Sequence, residues 1–187
     1  VTGIALGLLL AFVRAFQVRA VNFLIILFIV LLRALPPLVI IIVGYFGLPY
    51  IGIQFSGFAI SWICLSLVLA SFAEEIFWAG ITSVHKGQWE AARSTGLSFS
   101  ETLGYVVIPQ AIRMTIPPLT NRTIAITKNT ALASVITVEE MLTVAQTSLA
   151  YAANTSPLTL AAIGYLLIFF PLTMASRWIE TRYAWKR

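Results

Sequence analysis

The sequence predicts an all-α protein that crosses a membrane several times. Of its 187 residues, 59% are hydrophobic and only 10% are charged, which leaves too few charged side chains to cover a water-soluble domain. The apolar residues are also contiguous, because no charged residue occurs between Ala34 and Ala73 or between Met141 and Ser176. A helix needs about 20 apolar residues to cross the hydrocarbon core, and both stretches are long enough.

We expect five transmembrane helices within one domain, residues 1–187. The first, Val1–Val13, reaches only about 20 Å at about 1.5 Å per residue. Basic residues follow this run rather than precede it, unlike in a signal peptide, so we expect a truncated first span. The other spans are expected at Phe23–Phe46 with a break at Pro36-Pro37, at Phe58–Ile81, from Val106 onward, and at Pro157–Ser176.

Basic residues predict the orientation of these spans. They occur after the first span, in the segment 82–104 and in the C-terminal tail, whereas Gly47–Gly57 and Ala145–Pro157 contain none. The residues concerned are Arg14, Arg19, Lys86, Arg93, Arg177, Arg182, Lys186 and Arg187. The positive-inside rule therefore places the segment 82–104 and the C-terminus in the cytoplasm. The formal charge of +5 follows from topology, and no nucleic-acid partner is expected.

The polar segment after the third span predicts two short helices joined by a glycine turn. Residues Gln88–Thr95 are mostly good helix formers, and Gly96 can adopt the left-handed conformation that ends a helix. Ser98 and Glu101 have the spacing of a capping box, which starts a second helix toward Pro109. Such an L-shaped element at the cytoplasmic surface is suited to docking into a cleft of a soluble partner.

This segment also resembles the cytoplasmic loop of ABC-importer permease subunits. That loop reads Glu-Ala-Ala, three residues, Gly, nine residues and Ile-x-Leu-Pro, and here Glu90-Ala91-Ala92, Gly96 and Val106-x-Ile108-Pro109 have the same spacing. We call residues 82–109 the coupling loop. Other stretches are similar to the polar amino-acid branch of that family, the histidine, glutamine and arginine permeases. They are Gly44–Pro49, Gly87–Arg93, Pro109–Arg113, Pro117–Asn121, Lys128–Thr130 and Ser134–Ile136. Ala34-Leu35, Trp78, His85 and Asn129 depart from that branch and leave the substrate open.

The resemblance implies a permease subunit of a binding-protein-dependent ABC importer in the bacterial inner membrane. It would move a polar amino acid into the cytoplasm by ATP-driven alternating access. The implied partners are cytoplasmic ATP-binding subunits, an extracytoplasmic amino-acid-binding protein, and a second permease subunit that is identical or related. The permease itself would not be an enzyme. The sequence agrees, since it has no phosphate-binding Gly-x-x-x-x-Gly-Lys motif, and its one histidine lacks metal-ligand spacing. No cofactor is expected.

The resemblance assigns the contact with the ATPase to residues of the coupling loop. Ala91 and Ala92 would allow close approach, Gly96 would supply the turn, and Glu90 would make a charged contact unless it is an ordinary solvated helix charge. The full set of expected coupling residues is Gln88, Glu90, Ala91, Ala92 and Gly96.

Polar groups at membrane depth are the candidates for the substrate pathway, because such groups are costly in lipid and usually face a cavity or a partner. An amino acid carries both a carboxylate and an ammonium, so groups of either sign could line its path. We expect Glu75, Asn121 and Lys128 there. For Glu75 and Lys128, pairing that fixes helix packing or extension of the side chain to the membrane interface is an equal alternative. For Glu74 and Arg122 we favour that alternative.

Three other classes of function remain open from the sequence. An ion-coupled transporter would use Glu74 and Glu75 as proton carriers, but it leaves residues 88–109 unexplained. An intramembrane enzyme would need a nucleophile–base pair or a metal set within the spans. A structural subunit would use the coupling loop as a passive dock.

Overall fold

The computed structural model describes residues 1–183, and every regular element among them is helical, which confirms the all-α class. Lys186 and Arg187 of the predicted basic tail lie outside these residues. The α-helices are α1 (Thr2–Ala15), α2 (Arg19–Ala34), α3 (Pro37–Ile42), α4 (Gly57–Ser83), α5 (Lys86–Ser94), α6 (Phe99–Glu101), α7 (Ile108–Lys128), α8 (Met141–Ala152) and α9 (Ser156–Tyr183).

Two of these helices, α4 and α9, are individually long and apolar enough to cross a membrane. The helix α2 and the segment Pro37–Ile51 reach that criterion only together, and they are bent by 103°. The predicted break at Pro36-Pro37 is confirmed. It arises because proline lacks an N–H and forces the residue before it into extended backbone, as Leu35 adopts. By length and composition the described helices therefore supply two spans, or three with the bent pair, and the expectation of five spans stays a prediction.

The helices α1 and α4 run parallel and approach each other closely. Gly3, Gly7, Ala11 and Ala15 recur every four residues along α1, and all are buried. A Cβ atom on Gly7 would lie 2.6 Å from the Cβ atom of Ala73, nearer than two carbon atoms can pack. Small residues at this spacing let two helix backbones meet, which is how helices associate where no water drives them together.

Apolar side chains of α4 contribute to two separate hydrophobic clusters. One contains Phe77 and Ile81 with Leu103, and it lies beside the coupling loop. The other contains Cys64 with Ile41 of α3. Cys64 is 5% exposed, in agreement with the prediction that it is a small buried hydrophobe. The helix α4 is thus the element on which α1, α2, α3 and α7 pack.

The second helix of the coupling loop is longer than predicted. The helix α6, a π-helical turn at Thr102–Val107 and α7 follow one another without interruption. In a regular α-helix the ring of Pro109 would meet the carbonyl of Tyr105, four residues earlier. We attribute the wider π-helical turn just before Pro109 to this conflict, since such turns relieve local misfits within helices. The coupling loop is therefore one short helix followed by the start of a long one.

We predict that Gly7→Leu destabilises the folded protein by about 1–3 kcal/mol, because a larger side chain overpacks the contact between α1 and α4. The midpoint of thermal unfolding in detergent, followed by tryptophan fluorescence, measures this change. Ala5→Leu is the matched control, because Ala5 is exposed on the same helix. Equal unfolding midpoints for the two variants would show that the helices are not in close contact.

Candidate functional site

The coupling loop begins with the short helix α5, which is closed at both ends. At its start, the backbone N–H of Gly87 donates a hydrogen bond to Nδ1 of His85 at 3.1 Å. At its end, Gly96 has a φ of +93°, in the left-handed region predicted from the sequence. A Cβ atom on Gly96 would contact nothing within 4 Å. Glycine is therefore favoured there by backbone conformation rather than by space.

The helix that follows starts with the predicted capping box. The backbone N–H of Glu101 donates to Oγ of Ser98 at 3.4 Å. In return, Oε2 of Glu101 accepts from the backbone N–H of Ser98 at 2.8 Å and from its hydroxyl at 2.6 Å. These hydrogen bonds hold the pKa of the Glu101 carboxyl below its ordinary value. The capping box thus fixes where the turn ends and the long helix begins.

Four aromatic rings attach the coupling loop to the end of α1. Trp89 of α5 stacks on Phe99, with ring centroids 5.6 Å apart. Phe99 meets Phe16 edge-on at 5.6 Å, and Phe16 meets Phe12 edge-on at 5.3 Å. Each such pair contributes roughly 0.5–1.5 kcal/mol beyond the burial of its area. We call Phe12, Phe16, Trp89 and Phe99 the aromatic anchor.

The predicted coupling residues do not all point the same way. Gln88, Glu90, Ala91 and Gly96 are exposed, whereas Ala92 is only 8% exposed and packs inward. The two alanines therefore differ, although the motif treats them alike. Gln88 also accepts a hydrogen bond from Nε2 of Gln110 on α7, at 3.3 Å. The exposed side chains form a small outward surface on a helix that is tied to the bundle from behind.

A buried ion pair joins α1 to α4 just beneath the aromatic anchor. Nη1 of Arg14 lies 3.0 Å and 3.2 Å from the two carboxylate oxygens of Glu74, whose side chain is fully buried. The Arg14 guanidinium also lies 4.5 Å from the centroid of the Trp78 ring. Removing one partner of such a pair leaves an uncompensated buried charge, at a cost of about 3–5 kcal/mol. Glu74 therefore pairs across a helix contact, with Arg14 as its partner.

The next carboxylate along α4 lies in a different environment. Glu75 is 52% exposed and forms an ion pair with Arg33 of α2. The Arg33 guanidinium carbon lies 5.1 Å from the centroid of the Phe72 ring. Arg122 of α7 lies over the same ring, at 3.8 Å. The structure thus gathers Arg33, Phe72, Glu75 and Arg122 into one group, which we call the arginine cluster. No sequence pattern predicts this arrangement, because its members come from three helices.

The other predicted pathway residues lie apart from the arginine cluster. Asn121 donates a hydrogen bond to the Glu180 carboxylate and accepts one from Ser176 at 2.8 Å, both on α9. The ammonium of Lys128 lies 5.7 Å from the centroid of the Phe169 ring, also on α9. These contacts explain how polar side chains of α7 are accommodated beside an apolar helix. They do not bring Glu75, Asn121 and Lys128 together into one site.

At the end of the bundle away from the coupling loop lies a cavity of about 350 Å³. Its lining is mostly apolar and includes Ser61, Glu139 and Glu140. Glu140 caps α8 by accepting from the backbone N–H of Thr143 at 2.9 Å, and it accepts from the Tyr165 hydroxyl at 2.5 Å. In the part of the chain that the structure describes, no three metal-ligating side chains lie together.

The chain is similar to known membrane transport proteins over nearly its whole length. A family model described as the inner membrane component of binding-protein-dependent transport systems matches residues 3–185. The chain is 41% identical over 140 residues to the probable amino-acid ABC transporter permease protein YckA of Bacillus subtilis, covering 75% of this chain and 62% of that protein. It therefore spans less than two thirds of the length of YckA.

A second relative and a solved structure match over more of their length. The chain is 37% identical to the probable glutamine ABC transporter permease protein GlnP of Bacillus subtilis, covering 94% of this chain and 83% of that protein. It is also similar to the crystal structure of an amino acid ABC transporter with histidines, with a TM-score of 0.83 and 27% identity. That match covers 97% of this chain and 87% of the other.

We predict that Gly96→Ala weakens the turn of the coupling loop by about 1–2 kcal/mol, because an alanine resists left-handed backbone. Amide hydrogen exchange of residues 94–98 should become faster, while exchange in α4 stays unchanged. Gly104→Ala is the control, since Gly104 also has open space around its Cα but lies within a helical segment. Unchanged exchange in Gly96→Ala would contradict the importance of the left-handed conformation.

We also predict that the capping box is sensitive to acid. The pKa of Glu101 is lowered from 4.5 in the folded protein. The stabilisation by its carboxylate is therefore fully present when the pH is above the ordinary pKa of 4.5. It is lost as the pH falls through the lowered pKa of the folded protein. Amide hydrogen exchange at residues 98–102 should report this loss. Glu101→Gln, compared at matched pH on both sides of 4.5, should lack the dependence. The same pH dependence in both proteins would assign the effect to another group.

Proposed function

Since this chain belongs to the family of inner membrane components of binding-protein-dependent transport systems, we propose that it carries a polar amino acid into the cytoplasm by ATP-driven alternating access. The family is a membrane permease and not an ATPase, as predicted from the sequence, and its place is the inner membrane. The names of the relatives support an amino-acid cargo, because YckA is described as an amino-acid permease and GlnP as a glutamine permease. The structural neighbour is an amino acid transporter with histidines.

We propose that the chain forms one domain with five spans, of which α1 is part of the first and α7 is the fourth. The helix α7 is less apolar than α4 and α9, in part because it carries Arg113, Arg122 and Lys128. Two of these side chains have aromatic partners, since Arg122 lies over Phe72 and Lys128 lies near Phe169. Such contacts reduce the cost of placing α7 at membrane depth. The distribution of basic residues supports a cytoplasmic coupling loop and C-terminus.

The partners that we propose are cytoplasmic ATP-binding subunits, an extracytoplasmic amino-acid-binding protein and a second permease subunit. The way in which α5 is attached to the bundle supports a coupling role most strongly. Its outer surface exposes Glu90 and Ala91, while Trp89 on its inner side packs into the aromatic anchor. A partner that displaces α5 would therefore push on α1 through the anchor and on α7 through the continuous helix.

An ion-coupled transporter is less well supported by the geometry. Its proposed proton carriers would need access to water from the pathway, but Glu74 is fully buried against Arg14. Glu75 is accessible but paired with Arg33. Proton transfer by Glu74 or Glu75 would give the coupling loop no function, whereas an ATPase partner would dock on it.

We predict that Glu90→Ala weakens the complex of the permease with its ATP-binding subunit by about tenfold, or ~1.4 kcal/mol, through loss of a charged contact. Quantitative co-purification of the full-length proteins in detergent measures this change. Glu139→Ala is the control, because Glu139 is also an exposed carboxylate but lines the cavity at the opposite end of the bundle.

The same complexes should then be reconstituted with the binding protein, and ATP hydrolysis should be measured with L-glutamine, L-histidine and L-arginine in turn. Stimulation by one amino acid, reduced in Glu90→Ala but not in Glu139→Ala, would support the proposal and name the cargo. Failure of the folded permease to bind the ATP-binding subunit would remove the coupling role and favour the ion-coupled transporter.

A further inference from the structure

The arginine cluster carries more positive than negative charge at the middle of the bundle. Phe72 lies near the centre of the 27-residue helix α4. Two guanidiniums, those of Arg33 and Arg122, lie over its ring. The only carboxylate in the group is that of Glu75, and it pairs with Arg33. Within the described part of the chain, Arg122 has no carboxylate within ion-pair distance.

An arginine without a counter-charge is costly at membrane depth, and it usually faces a water-filled cavity or a charged partner. The contact with Phe72 offsets part of that cost, since a cation over an aromatic face is stabilised by about 0.5–2 kcal/mol. It does not neutralise the charge. The position near the centre of α4 also keeps Arg122 away from lipid headgroups, which lie at the two faces of a hydrocarbon core about 30 Å thick.

The contact with Phe72 leaves Arg122 able to bind an anion. The guanidinium carbon lies 3.8 Å from the ring centroid, and this contact acts through the charge rather than through the N–H donors. Its N–H groups lie in the plane of the guanidinium and point outward from its edge, where they can hold both oxygens of a carboxylate. The aromatic ring therefore positions the guanidinium without using its hydrogen-bond donors.

From these contacts we infer that Arg122 binds the carboxylate of the transported amino acid. The inference rests on the proposed function, which supplies a cargo that always carries a carboxylate. Arg33 is already paired with Glu75, so Arg122 is the cation of the cluster that remains available. Phe72 is a positioning residue, since it acts by holding the guanidinium. Arg122 thereby takes the role in the pathway that the sequence alone assigned to Glu75, Asn121 and Lys128.

The test measures the binding of radiolabelled L-glutamine, L-histidine and L-arginine to the complete permease–ATPase complex in detergent. Competition by the amines that lack the carboxylate, 4-aminobutanamide, histamine and agmatine, measures how much binding depends on that group. The variants are Arg122→Gln and Arg122→Lys. Arg113→Gln is the matched control, because Arg113 is exposed near the start of the same helix and lies outside the arginine cluster.

We expect the parent complex to prefer its amino acid over the corresponding amine. In Arg122→Gln the affinity for the amino acid should fall by about tenfold or more, through loss of a charge-assisted contact, and the preference over the amine should disappear. Arg122→Lys should retain only part of the preference, because it keeps the charge but loses the fork of donors that holds both carboxylate oxygens. Arg113→Gln should match the parent. A merely structural role of Arg122 would lower the binding of amino acid and amine alike.

Retention of the preference in Arg122→Gln would overturn the inference. So would loss of the second permease subunit from that variant with the preference intact, since Arg122 would then pair with a carboxylate of that subunit. If Arg122→Gln does not assemble, Phe72→Leu provides the test, because it keeps the charge but removes the ring. Unchanged amino-acid affinity in Phe72→Leu would count against the inference.

The two proposals fail in different ways. If the parent complex binds none of the three amino acids, the proposed function fails and the role of Arg122 fails with it. If the parent complex prefers an amino acid over its amine and Arg122→Gln does so equally, only the role of Arg122 fails.

Discussion

The contact between α1 and α4 holds the coupling loop and the membrane bundle in a common frame. The buried stripe of Gly3, Gly7, Ala11 and Ala15 brings the two helices together, and Arg14 then reaches Glu74. In a bilayer no hydrophobic force distinguishes helix from lipid, so association depends on close packing and on paired polar groups. Both are present in this contact. The aromatic anchor is built on the same end of α1, and its position therefore depends on the same packing.

The coupling loop is joined to the bundle by connections of different stiffness. The aromatic anchor is a side-chain contact with α1, and the bond between Gln88 and Gln110 is a single hydrogen bond to α7. The passage from α6 into α7 is covalent and helical throughout. A displacement of the loop would therefore reach α7 more directly than α1. The ion pair of Arg14 with the fully buried Glu74 would then carry it from α1 to α4.

Local features of this protein could be predicted from the sequence, whereas the partners of its charged groups could not. The turn at Gly96, the capping box of Ser98 and Glu101 and the break at Pro36-Pro37 depend on neighbouring residues, and all three are present. The small-residue stripe of α1 is also a local pattern, since its members recur every four residues. The contacts of Glu74 and Arg122 join residues from different helices, so the spacing of residues along the chain does not predict them. The aromatic partners of Arg122 and Lys128 on α7 likewise come from other helices, and composition does not predict them.

The bend between α2 and α3 leaves backbone groups that need contact with water or protein. Leu35 and Pro36 have extended backbone, so the last carbonyl groups of α2 have no helical N–H groups to accept from. Lipid offers no donor to replace them, and broken helices are tolerated at depth only against protein or beside a wet cavity. Arg33 lies within the last turn before this bend. The unpaired carbonyl groups of α2 and the Arg33 guanidinium therefore both require contact with water or protein, and one hydrated crevice would serve both.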